Sequence, residues 1–215
     1  MPAADRLVWI DLEMTGLNPS VDQIVEVACI VTEADLTEVD AGINLVVQAS
    51  PAALEGMDPF VRNMHAESGL LEQIPHGVSL EQAQRQVLEY VASHIPEPKK
   101  APLAGSSVYV DRGFLAVYMP LLDDYLHYRL VDVSTVKEVA KRWYPRVYFA
   151  SPEKKGNHRA LGDIRESIAE LRFYRDAIFV DQPGPDSKQA KAIGQTHVVD
   201  HGIEVAVQQS PEADG

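Results

Sequence analysis

The sequence predicts an α/β fold with a mixed β-sheet, and two observations support this fold class. Its first third carries β-branched apolar runs that follow one another directly, whereas later apolar runs alternate with helical patterns. Consecutive strands usually pair antiparallel and strands separated by helices usually pair in parallel, so one sheet should contain both kinds of pair. With 215 residues, 46% of them hydrophobic, one domain is expected, although two small cores would also fit this length.

The individual elements follow from periodicity and from turn residues. Three runs predict an antiparallel meander of strands: 7–10, 23–31 and the alternating stretch that ends at Val47. Ser79 and Gln82 form a capping-box pattern, which predicts an amphipathic helix ending before Pro96. Ser134 is expected to cap a later helix. The remaining predicted elements are short helical turns over 51–75, strands at 102–105 and 131–133, and helices at 111–118, 134–143 and 160–177.

Composition sets limits on location and partners. From Asp181 onward the chain is polar and acidic, so the folded domain is expected over 6–180 and a flexible tail over 181–215. The net charge of −13 disfavours clamping a long nucleic acid, because such binding needs many basic side chains. A nucleic-acid partner should therefore be short.

The sequence also predicts where the protein is located. The single cysteine, the lack of an 18-residue apolar run and the lack of a signal-peptide pattern predict a cytoplasmic protein without a membrane partner.

The first strand ends in a pair of acids. Side chains alternate along a strand, so Asp11 and Glu13 should project from one face, roughly 7 Å apart, while Leu12 points into the core. No Lys or Arg lies within four residues of either acid. Two such carboxylates are tolerated when they are solvated or when they share a hard cation, and both readings fit this tripeptide.

Three further groups stand out by position, although each also has an ordinary structural explanation. Asp111 opens one predicted helix and Asp163 lies in the first turn of another, where acids commonly stabilise the positive end of the helix dipole. His158 precedes the last helix, where a histidine is often a cap or a surface residue.

Together these residues resemble the DEDDh branch of the 3′→5′ exonucleases, which have a ribonuclease-H-like fold. The ordered signature is Asp11-x-Glu13, then Asp111, then His158-x-x-x-x-Asp163. Within that branch the match is closest to the oligoribonuclease family, and it covers about residues 6–180. The strings that carry it are WIDLEMTGL at 9–17, HYR at 127–129, DVST at 132–135 and DIRES at 163–167.

The resemblance implies a phosphodiester hydrolase that uses two divalent cations. Asp11, Glu13, Asp111 and Asp163 would supply hard oxygen ligands suited to Mg²⁺ or Mn²⁺. His158 would act as the general base for the attacking water, because an ordinary histidine is largely neutral at cellular pH.

The resemblance also implies a pocket for a dinucleotide. Leu17 would wedge between the two bases, Phe60 would stack on one of them, and His65 would contact the phosphate between them. The family commonly has Trp at the position of Phe60. The 5′-phosphate would be enclosed by a second group of side chains: Ser107, Arg129, Ser134 and Thr135. Tyr128 would reach into the site of a neighbouring subunit, which implies a homodimer.

The expected function is hydrolysis of short oligoribonucleotides, above all 5′-phosphorylated dinucleotides, to 5′-mononucleotides. This would be the last step of RNA decay, and it would include the linear products of cyclic-dinucleotide breakdown. Two alternatives stay open. A related DEDDh enzyme could trim or proofread longer RNA or DNA ends, for which the acidic charge is unfavourable. A non-catalytic oligonucleotide-binding module would have lost one of the acids or His158, and none is missing.

Overall fold

The computed structural model describes residues 5–153 and 159–197. Contacts divide the chain into two units, Met1–Phe179 and Val180–Gly215. The first unit contains a five-stranded sheet in the order β3-β2-β1-β4-β5. The strands are β1 (Leu7–Met14), β2 (Ile24–Thr32), β3 (Ile43–Val46), β4 (Pro102–Gly105) and β5 (His127–Asp132). Strands β1 to β3 pair antiparallel, while β4 and β5 extend the sheet in parallel, so the predicted mixed sheet is confirmed.

Nine α-helices lie among the described residues of this unit. They are α1 (Pro51–Glu55), α2 (Pro59–Glu67), α3 (Leu70–Gln73), α4 (Leu80–His94), α5 (Tyr109–Tyr118), α6 (Pro120–Tyr125), α7 (Val133–Trp143), α8 (Pro145–Tyr148) and α9 (Ala160–Ile178). The capping box predicted for α4 is present, since the side chain of Ser79 accepts from the Gln82 amide and the Gln82 side chain caps Ser79 in return.

Alternation along β1 assigns its side chains to two different cores. Val8, Ile10 and Leu12 pack on the face covered by α4, α5 and α6. Trp9 packs on the opposite face, against residues of α9 such as Ile164. Because Asp11 and Glu13 follow Trp9 at two-residue steps, they lie on the α9 face.

Both acids lie within β1, as alternation predicted, and the strand continues past the apolar run 7–10 to Met14 because its ladder with β2 extends that far. One local detail differs from the sequence-based expectations. Ser134 is not the cap of α7, so that expectation was wrong. Asp132 has the extended backbone of an N-cap, and its side chain accepts from the Ser134 amide.

The second unit contains one helix among its described residues, α10 (Ser187–Gln195), within the segment expected to be a tail. Asp186 caps it, accepting from the Lys188 and Gln189 amides, and Gln189 completes a capping box. This local pattern explains a helix in a segment with little apolar periodicity. Among the described residues, no helix combines the length and apolarity needed to cross a membrane.

A polar network joins the loop before β3 to helix α4. Asp40 accepts from the Gly42 amide at 2.8 Å and from the Tyr90 hydroxyl at 2.8 Å, and it lies 2.9 Å from Nε2 of His94. Burial raises the pKa of the Asp40 carboxyl, but these three partners outweigh burial and lower it. The charged form of Asp40 therefore stabilises the folded chain.

We expect Asp40→Asn to destabilise the protein by about 1 kcal/mol at neutral pH, a modest loss because the carboxylate is partly solvated. The pKa is lowered in the folded state, so this contribution is present above the ordinary aspartate pKa of about 3.9 and is lost as pH falls through the folded value. Denaturant unfolding at neutral pH and at about pH 3 measures the difference between the two proteins. A difference that stays constant across this range would contradict the assignment.

Candidate active site

An acidic cluster lies where the carboxyl end of β1 meets the first turn of α9. Asp11, Glu13 and Asp163 each offer a carboxylate oxygen, and these oxygens all lie within 4.8 Å of one another. The pleat of β1 brings the first two together, and the packing of α9 on that face adds the third. Oxygen-only clusters of this kind suit hard divalent cations such as Mg²⁺ or Mn²⁺.

The cluster is electrostatically strained at Glu13. Burial first, and then the neighbouring carboxylates of Asp163, Glu26 and Asp111, raise the pKa of its carboxyl to about 8, although Arg159 opposes them. Without a cation the folded chain therefore favours a proton on Glu13 near neutral pH. A bound divalent cation would remove the need for that proton, which agrees with a metal-binding role.

Asp111 lies beside the cluster and is engaged with the backbone of β1. Its Oδ1 accepts from the Leu12 amide at 3.0 Å, and Leu12 stands between the two acids of the strand. The Asp111 side chain is almost fully buried, and burial raises its pKa. Asp111 does not belong to the three-carboxylate cluster in this conformation, so its role as a fourth ligand stays a prediction.

The two histidines predicted to act here differ in what the structure describes. His65 on α2 is fully buried, with Nε2 2.9 Å from the Met14 carbonyl oxygen and Nδ1 3.8 Å from Oε2 of Glu13. It therefore fastens α2 to the end of β1, and its contact with a substrate phosphate stays a prediction. His158, the predicted base, lies outside the described residues.

Leu17 lies on a loop that is fixed by hydrogen bonds, and its side chain is exposed to solvent. Its side chain is 76% exposed, although the loop around it is tightly tied. Asp22 accepts from the Thr15 hydroxyl at 3.0 Å and from the Asn18 amide at 2.8 Å. At Gly16 a Cβ would lie 2.5 Å from the Asp22 carboxylate, so a larger residue there would displace the Asp22 side chain from its hydrogen bonds to this loop. An apolar side chain presented in this way is available to pack against a ligand.

Phe60 shows the same combination of exposure and support on α2. Its ring is 76% exposed, and the helix that carries it begins at a side-chain cap, in which Asp58 accepts from the Phe60 amide at 2.8 Å. His65 anchors the other end of this helix to β1. Phe60 therefore offers a free aromatic face on a fixed backbone, as base stacking requires.

A second group of predicted residues meets at the ends of β4 and β5. Oδ1 of Asp132 accepts from the amides of Ser107 and Ser134, both at 2.9 Å. The hydroxyls of Ser107 and Ser134 then lie 3.0 Å apart. Ser107 has a positive φ of 53°, a conformation that this Asp132 contact supports. Two hydroxyls thus lie close together at the start of α7, beside the Asp132 carboxylate that accepts from both backbone amides.

The remaining residues predicted to contact the 5′-phosphate or a neighbouring subunit are more exposed. Arg129 donates from Nε to the Tyr128 hydroxyl at 3.2 Å, and its guanidinium lies 5.5 Å from the centre of that ring. Tyr128 is 74% exposed, and Thr135 is also exposed on the first turn of α7. The structure does not bring Arg129 into contact with the two serines.

Sequence reasoning missed two residues that border the cluster, Glu26 and Arg159. Glu26 is fully buried on β2, directly opposite Glu13 in the strand register, and it forms an ion pair with Arg159 at 2.7 Å. The available signal was a glutamate inside an otherwise apolar run, because an acid at such a position is seldom fully buried without a partner. Its partner lies too far away in sequence to be found by pattern.

We expect Glu13→Gln to raise the melting temperature of the metal-free protein by roughly 5 °C at about pH 8.5 and to leave it unchanged near pH 5. The raised pKa of Glu13 means that its proton stabilises the folded chain fully below the ordinary value of 4.5, and that this contribution is lost as pH rises towards about 8. Glutamine stays neutral throughout. Thermal denaturation in excess chelator measures the shift, with Glu89→Gln, an exposed position on α4, as control. Equal melting temperatures at high pH would contradict the prediction.

Comparison with known proteins agrees with this geometry. Residues 8–171 match the family model described as exonuclease. The oligoribonuclease of Streptomyces avermitilis is 60% identical over 195 residues, 91% of this chain and 98% of that protein. The oligoribonuclease of Streptomyces coelicolor is 58% identical over 198 residues, covering 92% and 99%. That of Mycobacterium tuberculosis is 50% identical over 190 residues, 88% of each chain.

Solved structures show the same fold at much lower identity. A zinc-bound complex of E. coli exonuclease I with single-stranded DNA aligns with a TM-score of 0.60 and 12% identity over 81% of this chain. Exonuclease I of Methylocaldum szegediense aligns with a TM-score of 0.57 and 17% identity over 80% of it. The chain spans 41% and 40% of those two proteins, so they support the fold alone. From its matches over nearly their full length, the chain belongs to the oligoribonuclease family of exonucleases.

Proposed function

We propose that this chain is a metal-dependent 3′→5′ exoribonuclease that cuts short oligoribonucleotides, and 5′-phosphorylated dinucleotides above all, to 5′-mononucleotides. The observation that carries the proposal is the cluster of Asp11, Glu13 and Asp163, whose carboxylate oxygens lie within 4.8 Å of one another. Its relatives at 50–60% identity are oligoribonucleases. Final RNA turnover and cleavage of linear products from cyclic dinucleotides are the roles that fit this substrate.

The residues of the cluster fit a divalent metal centre. Asp11, Glu13 and Asp163, with Asp111 as a fourth acid, would hold two Mg²⁺ or Mn²⁺ ions. Bound there, the ions would activate a water and stabilise the charge that develops on the phosphoryl oxygens. The burial of Glu13 supports the proposal, because a dry site strengthens the attraction between carboxylate and cation.

The protein itself must remove a proton from the attacking water. His158 is the proposed base, since a neutral imidazole can accept that proton near pH 7. It immediately precedes Arg159, whose guanidinium is fastened to buried Glu26, and α9 follows at once.

Specificity for two nucleotides would come from exposed side chains on fixed supports. Leu17 and Phe60 offer apolar surfaces to the bases, while the hydroxyls of Ser107 and Ser134 offer hydrogen bonds to the 5′-phosphate. Arg129 and Thr135 would have to close on that phosphate, and His65 would have to approach the phosphate between the bases. An acidic protein can hold such a ligand, because only two phosphates require compensation.

We further propose a homodimer in the cytoplasm, in which Tyr128 completes the site of the neighbouring subunit. The large exposed fraction of its ring leaves Tyr128 available for such a contact.

The test of substrate length is the initial cleavage rate on 5′-phosphorylated RNAs of two to about ten nucleotides, with Mn²⁺ or Mg²⁺ supplied and then chelated. We expect the highest rate for the dinucleotide, because a pocket closed around the 5′-phosphate excludes longer strands, and we expect no cleavage after chelation. A rate that is flat or rises with length would assign the protein to the trimming enzymes instead. No cleavage with any metal would leave only a binding module.

We expect Asp163→Asn to abolish hydrolysis, as Asp163→Ala should, because each removes one charged ligand from the three-carboxylate cluster. Asp176→Asn is the matched control, since it makes the same change near the exposed end of the same helix. Rates on the dinucleotide with saturating Mn²⁺ check both variants. Near-normal turnover by Asp163→Asn would contradict the assignment of the site.

A further inference from the structure

Three groups donate hydrogen bonds to the buried carboxylate of Glu26. Nε and Nη2 of Arg159 donate to its Oε1 at 3.0 and 2.7 Å, and Nε also lies 3.2 Å from Oε2. The Ala160 amide donates to Oε2 at 3.1 Å, and Nδ2 of Asn44 on β3 donates to Oε1 at 3.0 Å. Glu26 itself is fully buried and faces Glu13 across the β1–β2 ladder.

These contacts place Glu26 at the start of α9. Ala160 is the first residue of that helix, so its amide has no acceptor within the helix, and the N-cap residue Arg159 supplies none from its side chain. Glu26 provides the missing acceptor from the neighbouring sheet, with a negative charge at the positive end of the helix. Asp163 lies in that same first turn, three residues after Ala160.

The first turn of α9 needs such an anchor for two reasons. It brings the Asp163 carboxylate towards two other carboxylates, and like charges at this spacing repel. It also contains Gly162, which is less favourable in a helix than alanine by roughly 1 kcal/mol. Without the contact to Glu26, this turn could fray away from β1 and carry Asp163 with it.

Other arginines of α9 fasten the helix elsewhere. Arg165 contacts Glu38 and the Ala41 carbonyl, while Arg172 and Arg175 donate to carbonyls of the loop after β2. None of these partners stands opposite a residue of the acidic cluster in the strand register. The Arg165–Glu38 pair is therefore a natural comparison for the Arg159–Glu26 pair, on the same helix and of the same charge type.

We propose that Glu26 and Arg159 are positioning residues for the metal-binding carboxylates, holding the first turn of α9 so that Asp163 stays beside Asp11 and Glu13. This inference rests on the metal site of the proposed function. Arg159 suits the task better than lysine would, because its planar guanidinium donates two hydrogen bonds in a fixed direction. Its Nη2 also reaches Oε1 of Gln73 on α3 at 3.3 Å, which further restricts the guanidinium.

The test is Mn²⁺ binding by titration calorimetry, without substrate, to the double variant Glu26→Gln with Arg159→Gln. One positive and one negative charge are removed together, so the net charge near the carboxylates is unchanged and only the anchoring is lost. We expect Mn²⁺ affinity to fall by about 10- to 100-fold, the usual cost of losing an outer contact of a metal ligand. At saturating Mn²⁺, cleavage of the dinucleotide should return towards the unaltered rate, with KM for the dinucleotide unchanged.

The matched control is the double variant Glu38→Gln with Arg165→Gln, which removes a pair of the same type from the same helix and should bind Mn²⁺ normally. Unchanged affinity in the Glu26/Arg159 variant, or an equal loss in both double variants, would overturn the proposal. Should the first variant fail to fold, Arg159→Lys carries the test, with a smaller loss expected. Asp163→Asn tests the metal site of the proposed function separately from the positioning role of Glu26 and Arg159. If this variant binds Mn²⁺ as tightly as the unaltered protein, the assignment of the metal site is wrong.

Discussion

Keeping three like charges close together is the constraint on which this structure depends. Asp11 and Glu13 need no tertiary contact to come together, because the pleat of one strand determines their spacing. Asp163 comes from a helix far away in sequence, so its approach must be enforced by packing and by fixed contacts. The pKa of Glu13 is raised first by burial and then by the neighbouring carboxylates, and this shift reflects the cost of the arrangement in the absence of a cation. A site that is unfavourable when empty is well suited to bind a divalent ion.

The contacts around the cluster resist that repulsion from several sides. Helix α9 is packed through Ile164 and Ile168 on the Trp9 face of the sheet, and arginines along its length reach the connection after β2. His65 secures α2 at the end of β1, and Asp111 accepts the Leu12 amide between the two strand acids. The sheet therefore acts as a common support, to which α2, α5 and α9 are each tied near the acidic cluster.

The residues proposed to face the substrate show the complementary arrangement, in which exposed side chains stand on a supported backbone. Leu17 and Phe60 are largely solvent-exposed, yet hydrogen bonds from Asp22 and Asp58 hold the segments that carry them. Apolar surface of this kind has no role in the core of the described unit. Together with the converging hydroxyls of Ser107 and Ser134, it explains how a chain with a net charge of −13 could select a ligand with few phosphates.

The sequence by itself determined what depends on neighbours along the chain. The strands and the α4 helix were predictable because alternation, helical spacing and capping residues act locally, and the Asp11–Glu13 pair follows from the same alternation. Even a local feature was assigned to the wrong residue, because the cap of α7 is Asp132, two positions before the Ser134 that was predicted. The family resemblance implied that Asp163 joins the strand acids, but only the tertiary structure shows how closely the three carboxylates approach and that His65 is buried behind them. The tertiary structure alone decided that Glu26 meets Arg159 across 133 positions, because no local pattern encodes a contact at that separation.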